Sequence, residues 1–119
     1  MPKKVYYLAT CDTCKRILKE VALPDFFEKQ EIKSSPLTPE QLEELYQLSG
    51  SYESLFNKRS RLYKERGLKD KNLEESDYKK LLLEHYTFLK RPVFIVGQQI
   101  FIGNSKKNIH ALKEALSNL

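Results

Sequence analysis

The chain has 119 residues, 40% hydrophobic and 31% charged, enough for one domain with a sizeable core. Its 21 lysines and arginines against 16 acids leave a net charge of +5. That excess suits an anionic substrate or an acidic partner and is too dispersed to argue for DNA binding. No apolar run reaches the ~18 residues of a membrane span, and no secretory h-region opens the chain, so the expectation is a soluble, unprocessed, cytoplasmic protein.

In chain order, residues 3–9 read as a strand, too apolar for clean alternation and therefore interior. The turn Cys11-Asp12-Thr13-Cys14 follows and opens a helix over 15–21, with Ile17, Leu18 and Val21 on its apolar face and Pro24 as its stop. A second strand is expected over 26–32, with Phe27, Lys29 and Glu31 on one side and Phe26, Glu28, Gln30 and Ile32 on the other. Thr38-Pro39-Glu40-Gln41 carries an N-cap, a first-turn proline and a capping box, starting a helix to about residue 48 with Gly50 at its end. Leu42, Leu45 and Tyr46 should face inward there. Short helices are predicted over 52–56 and 61–66, the latter closed by Gly67, and a longer one over 74–86 with Tyr78, Leu81, Leu82 and Tyr86 spaced for burial. The last third changes character: strands over 92–96 and 99–102 joined at Gly97-Gln98, then a helix over 106–116 with Ile109, Leu112 and Leu116 inward.

Cys11 and Cys14 are the only cysteines. A strand ending in C-x-x-C that opens a helix is the sequence form of a thioredoxin-like redox site. Thiols at a helix N-terminus meet unsatisfied N–H groups and the positive end of the macrodipole, which favours thiolate. Cys11, first and less enclosed, is the expected nucleophile; Cys14 is the expected resolving thiol. Zinc is disfavoured, because structural zinc takes four ligands and the two histidines, His85 and His110, lie far apart without ligand spacing. A signal-less chain with one such pair suits a reducing compartment, where a disulfide is transient. Two incidental buried cysteines are the plain alternative.

The chain resembles the arsenate reductase/Spx family. The blocks that carry the resemblance run in order: Cys11-x-x-Cys14-Lys15, Pro36-Leu37-Thr38, Leu55-Phe56-Asn57-Lys58-Arg59-Ser60, Gly67-Leu68, Leu89-Lys90-Arg91-Pro92-Val93 and Ile102-Gly103. The resemblance implies an α/β, thioredoxin-like fold, a mixed sheet of about four strands with a helical insertion over residues 38–88 between its halves. It implies Cys11 as nucleophile and Cys14 as the second cysteine of C-x-x-C members. Arsenate reductases lack that second cysteine and draw on glutathione and glutaredoxin. It further implies Lys15, Arg59 and Arg91 at an oxyanion site, and Pro92 in a cis peptide facing the cysteines. The third arginine of the arsenate reductases falls at Asn104, followed by Ser105, Lys106 and Lys107, which supply at most point charges.

Competing readings stand beside these. Arg59 belongs to a basic cluster (Lys58, Arg59, Arg61, Lys64, Arg66) of the kind that is commonly a solvated face. Three functions follow. The first is a thiol-dependent reductase of an oxyanion or disulfide, needing no metal or organic cofactor and reset by glutathione, glutaredoxin or thioredoxin. The second is an Spx-like redox regulator binding the C-terminal domain of the RNA polymerase α subunit. The third is an adaptor whose cysteines contribute little.

Overall fold

The apolar run at the start of the chain forms β1 (Lys3–Tyr7), and it lies inside the sheet. It pairs in parallel with β2 (Glu28–Glu31) and antiparallel with β3 (Val93–Val96); β3 pairs antiparallel with β4 (Gln99–Ile102). The sheet order is therefore β2-β1-β3-β4 in this computed structural model, which describes residues 2–119. Parallel pairing of β1 with β2 requires a crossover, and α1 (Asp12–Glu20) provides it. The β3–β4 hairpin turns at Gly97-Gln98, where Gly97 adopts a φ of +66° that other residues enter only with strain.

Two compact units emerge: the described residues up to Ser35 together with Arg91–Leu119, and Pro36–Lys90. In the first, α1 and α5 (Lys106–Ser117) cover one sheet face. Ile17, Val21, Ile109 and Leu112 pack there with Val5, Phe94, Val96 and Phe101. Each large side chain removed from water contributes roughly 1.5–3 kcal/mol, which ties the helices to the strands. All four β3 residues are buried, as an interior strand demands.

The second unit is helical: α2 (Pro39–Ser49), α3 (Arg61–Glu65) and α4 (Glu75–Glu84), with single 3-10 turns at Glu53–Leu55, Leu68–Asp70 and Tyr86–Phe88. α2 starts as its sequence dictates. The Thr38 hydroxyl accepts from the Gln41 N–H at 3.1 Å, the Gln41 side chain accepts from the Thr38 N–H at 3.1 Å, and Gly50 closes the helix at a φ of +79°. Phe56 centres an aromatic cluster, stacked on Phe88 at 5.2 Å and met edgewise by Tyr78 at 5.0 Å and Tyr63 at 5.8 Å.

Several expectations need correction. β2 is shorter than 26–32, and the expected faces break down: Phe27 and Ile32 are both buried while Phe26 is 62% exposed. The reason is local. Phe27 lies in a turn, donating its N–H to the Pro24 carbonyl at 3.1 Å, so strand parity does not extend to it. α1 ends at Glu20, well before Pro24, and Ala22 takes a left-handed φ of +49°. α4 ends at Glu84 because His85 is extended (φ −153°, ψ 137°), so His85 is not a helical residue. Its Nδ1 accepts the Thr87 N–H at 3.0 Å and starts the 3-10 turn that follows. Among the described residues, no helix is long and apolar enough to cross a membrane.

Candidate active site

Cys11 is the N-cap of α1, with extended backbone (φ −93°, ψ 113°). Its backbone N–H closes a turn onto the Leu8 carbonyl at 3.1 Å, and its own carbonyl accepts from Lys15 at 3.1 Å. The side chain makes no hydrogen bond of ordinary capping geometry, yet the sulfur faces the Cys14 N–H closely enough for that dipole to favour the thiolate. Cys14 sits one turn along, fully buried, whereas Cys11 is only half-buried. The asymmetry expected from the sequence is thus built into the helix start.

Sheet register delivers the second component. Tyr6 pairs with Val93 in the antiparallel β1–β3 ladder, so Arg91 and Pro92 run beside the end of β1, where the chain turns toward Cys11. The Arg91–Pro92 peptide is cis, as the resemblance implied. Pro92 is buried, and its carbonyl accepts the Gly103 N–H at 2.9 Å; Gly103 is held in turn by the Asn108 side-chain amide at 3.0 Å. The Arg91 guanidinium lies beside the Cys11 sulfur and favours its thiolate.

These contacts drive the two thiols apart. Burial alone pushes the Cys11 thiol up, but the Cys14 backbone and thiol and the Arg91 guanidinium outweigh it, leaving Cys11 below the ordinary 9.0. Burial pushes Cys14 up to about 12, against the Leu8 N–H on its sulfur and with the help of the neighbouring Cys11 charge. The outer thiol therefore ionises more readily than a free cysteine, and the inner one holds its proton more tightly. That is the protonation a nucleophile with a waiting second thiol requires.

Lys15 is exposed on the first turn of α1. Arg59 belongs to the other unit, exposed in a turn where its N–H donates to Asn57 Oδ1 at 3.0 Å and the Asn57 N–H donates to the Phe88 carbonyl at 2.7 Å. Of the basic cluster, Lys58 pairs with Glu53, Arg61 with Glu65 at 3.5 Å and Arg66 with Glu84 at 2.7 Å. Arg59 pairs with no carboxylate among the described residues. Asn104 is exposed, and the segment around it is committed to starting α5: the Ser105 hydroxyl accepts the Asn108 N–H at 3.1 Å.

The family model for the ArsC family matches residues 6–112. The chain belongs to the ArsC family. ArsC-family membership places this chain among arsenate reductase-like proteins that work through thiols. No curated protein matches it in sequence. Among solved structures, an ArsC-family-related protein from Bacteroides fragilis is 24% identical with a TM-score of 0.75, covering 94% of this chain and 98% of its own. An arsenate reductase from Vibrio cholerae is 19% identical with a TM-score of 0.73, over 95% and 97%. The protein SACOL0876 from Staphylococcus aureus is 25% identical with a TM-score of 0.71, over 92% and 96%. The fold is shared over at least 92% of this chain and 96% of each of the three.

Sequence reasoning missed what holds the turn before Cys11. Glu31, expected only as a strand residue, accepts the Ala9 N–H at 2.9 Å. A carboxylate that binds backbone across two strands leaves no periodic signature.

Proposed function

We propose that this protein is a thiol-dependent reductase in which Cys11 attacks and Cys14 resolves, acting on an oxyanion such as arsenate or on a disulfide. The observation that carries the reading is the contact of Arg91 with the sulfur of Cys11, at a helix start left without a side-chain cap. A cation beside the sulfur stabilises the thiolate and also draws an anionic substrate toward it. Lys15, exposed on the first turn of α1, adds a point charge for the anion, and the family resemblance implies Arg59 as a further cation.

With arsenate, the Cys11 thiolate forms a bond to arsenic(V) and one arsenate oxygen leaves, with two protons, as water. Cys14 then gives up its proton and attacks the Cys11 sulfur. The S–S bond forms, the S–As bond breaks, and the bonding pair stays on arsenic, which leaves as arsenite. The two electrons come from the two sulfurs. Once Cys11 carries the adduct it holds no negative charge, so one of the influences that raises Cys14 is gone when Cys14 must ionise. With a disulfide, Cys11 forms the mixed disulfide, releasing one thiol, and Cys14 releases the second. Glutathione, glutaredoxin or thioredoxin returns the Cys11–Cys14 disulfide to the dithiol by exchange.

The test is arsenate-dependent oxidation of each reductant, with Cys11→Ser as control, alongside alkylation of Cys11 with and without arsenate. Turnover above the control and protection by arsenate are expected. No turnover and no protection would remove the oxyanion and leave disulfide exchange.

One feature favours a second reading, a redox switch that binds the C-terminal domain of the RNA polymerase α subunit. Asn104 stands where the third arginine of the arsenate reductases falls, so this chain lacks that guanidinium. Pull-down with that domain in reducing and oxidising buffer decides it; no binding in either state removes it.

A further inference from the structure

Glu31 ends β2, and the backbone ladder does not explain what its side chain does. One carboxylate oxygen, Oε2, accepts the Ala9 N–H at 2.9 Å. The other, Oε1, accepts the N–H of Lys33 at 3.0 Å, the N–H of Ser34 at 2.8 Å and the Ser34 hydroxyl at 3.0 Å. Both oxygens are therefore engaged, one across to the β1 side and one on the strand's own exit. These donors hold the carboxyl below its ordinary range, the Ala9 N–H first among them.

The Ala9 N–H belongs to the Leu8–Ala9 peptide, and the carbonyl of that same peptide accepts the Cys11 N–H at 3.1 Å. A peptide unit is planar, so fixing the direction of its N–H fixes the direction of its C=O. This unit lies just beyond the last paired residue of β1, Tyr7, where no further ladder bond would orient it. The same short segment supplies the Leu8 N–H that reaches the Cys14 sulfur.

We propose that Glu31 is a positioning residue for Cys11: its carboxylate locks the Leu8–Ala9 peptide plane, and through it the turn that presents the Cys11 sulfur to the Cys14 N–H and Arg91. The proposal rests on Cys11 being the reactive thiol.

The readout is the pH dependence of Cys11 alkylation by iodoacetamide in the full chain, located by peptide mass, with circular dichroism as the check on folding. Wild-type Cys11 is measured first; if it alkylates like free cysteine, the reading of the site and this inference both fall. In Glu31→Gln, one of the two acceptor oxygens becomes a donor, and the profile is expected to shift upward. The rate at mildly acidic pH should fall about three- to tenfold, as a half- to one-unit loss of thiolate requires. The sign is diagnostic, because deleting a negative charge removes Coulomb repulsion of the thiolate and by itself would shift the profile downward. A purely structural role would lower the melting temperature and leave the folded protein's profile in place. Ser34→Ala removes a hydroxyl from Oε1 and keeps the Ala9 bond, so its profile should match wild type. Glu31→Asp, one methylene too short to span both sides, replaces the glutamine variant if that one fails to fold. A folded Glu31 variant with an unchanged or lowered profile overturns the inference while leaving the redox reading intact.

Discussion

The starts of α1 and α2 obey the same backbone physics and are used in opposite ways. α2 begins with Thr38, whose hydroxyl and capping-box partner Gln41 satisfy two orphan donors, and ends on a glycine in the left-handed region. α1 begins with Cys11, which makes no side-chain cap bond, and is followed by Ala22 in the left-handed region without glycine's freedom. A capped start contributes about 1 kcal/mol to stability. An uncapped one leaves its N–H groups and dipole facing outward, where they favour a thiolate or an incoming anion. Stability was built into one start and reactivity into the other. The left-handed Ala22 at the far end of α1 has no such account; nothing in the site uses it.

That contrast can be broken by experiment. The largest effect should come from Cys11→Ser, which is expected to drop thiol-dependent reduction to background. Serine is a better N-cap than cysteine and the backbone is already extended, so the same variant should also gain about 0.5–1 kcal/mol in chemical denaturation. Loss of activity with loss of stability would show that the α1 start was never left open. Next comes Arg91→Met, which removes the guanidinium while keeping a long apolar stem. Cys11 alkylation at mildly acidic pH should slow about tenfold, and Arg91→Lys should fall between.

The pair also sets a pH signature in stability. The fold holds the Cys14 proton more tightly than the unfolded chain does, so its contribution is complete below 9.0 and is lost as pH rises toward about 12. Cys11 runs the other way. Its folded value is depressed, so its contribution is complete above the ordinary 9.0 and fades as pH falls through the folded value. Urea unfolding across alkaline pH should decline from 9.0 in wild type, while in Cys14→Ala the decline should start later and be shallower, with only the raised Tyr52 and Tyr78 hydroxyls left to give it above 10.0. The smallest effect belongs to the other helix start: Thr38→Ala should cost about 1 kcal/mol and leave the Cys11 alkylation profile unmoved. A shifted profile there would mean that the two starts are energetically linked.

Much of this was legible because it is local. The Thr38 cap, the Gly50 stop, the Gly97-Gln98 hairpin and the apolar faces of α1 and α5 are decided by residues a few positions apart. Elsewhere a neighbouring residue overrules the pattern. Phe27 is buried from a turn that ends the β2 alternation, and an extended His85 stops α4 two residues short of Tyr86. The histidine's own ring nitrogen rewards that break by accepting Thr87.

The sequence by itself determined that a strand would end in two cysteines opening a helix, with the first outside and the second inside, and that the blocks around them belong to one family. The C-x-x-C spacing puts the second thiol one helical turn from the first, because residues three apart are neighbours on one face of a helix. Only the tertiary structure decided what surrounds that start. Arg91 reaches the Cys11 sulfur because β3 pairs antiparallel with β1 in a particular register, and Glu31 grips the Leu8–Ala9 peptide because β2 lies parallel on the other side. Those partners are 22 and 80 residues away from the groups they touch (Ala9 to Glu31, Cys11 to Arg91). No local propensity records such a pairing, because it is the sheet's hydrogen-bond register that brings the two chains side by side.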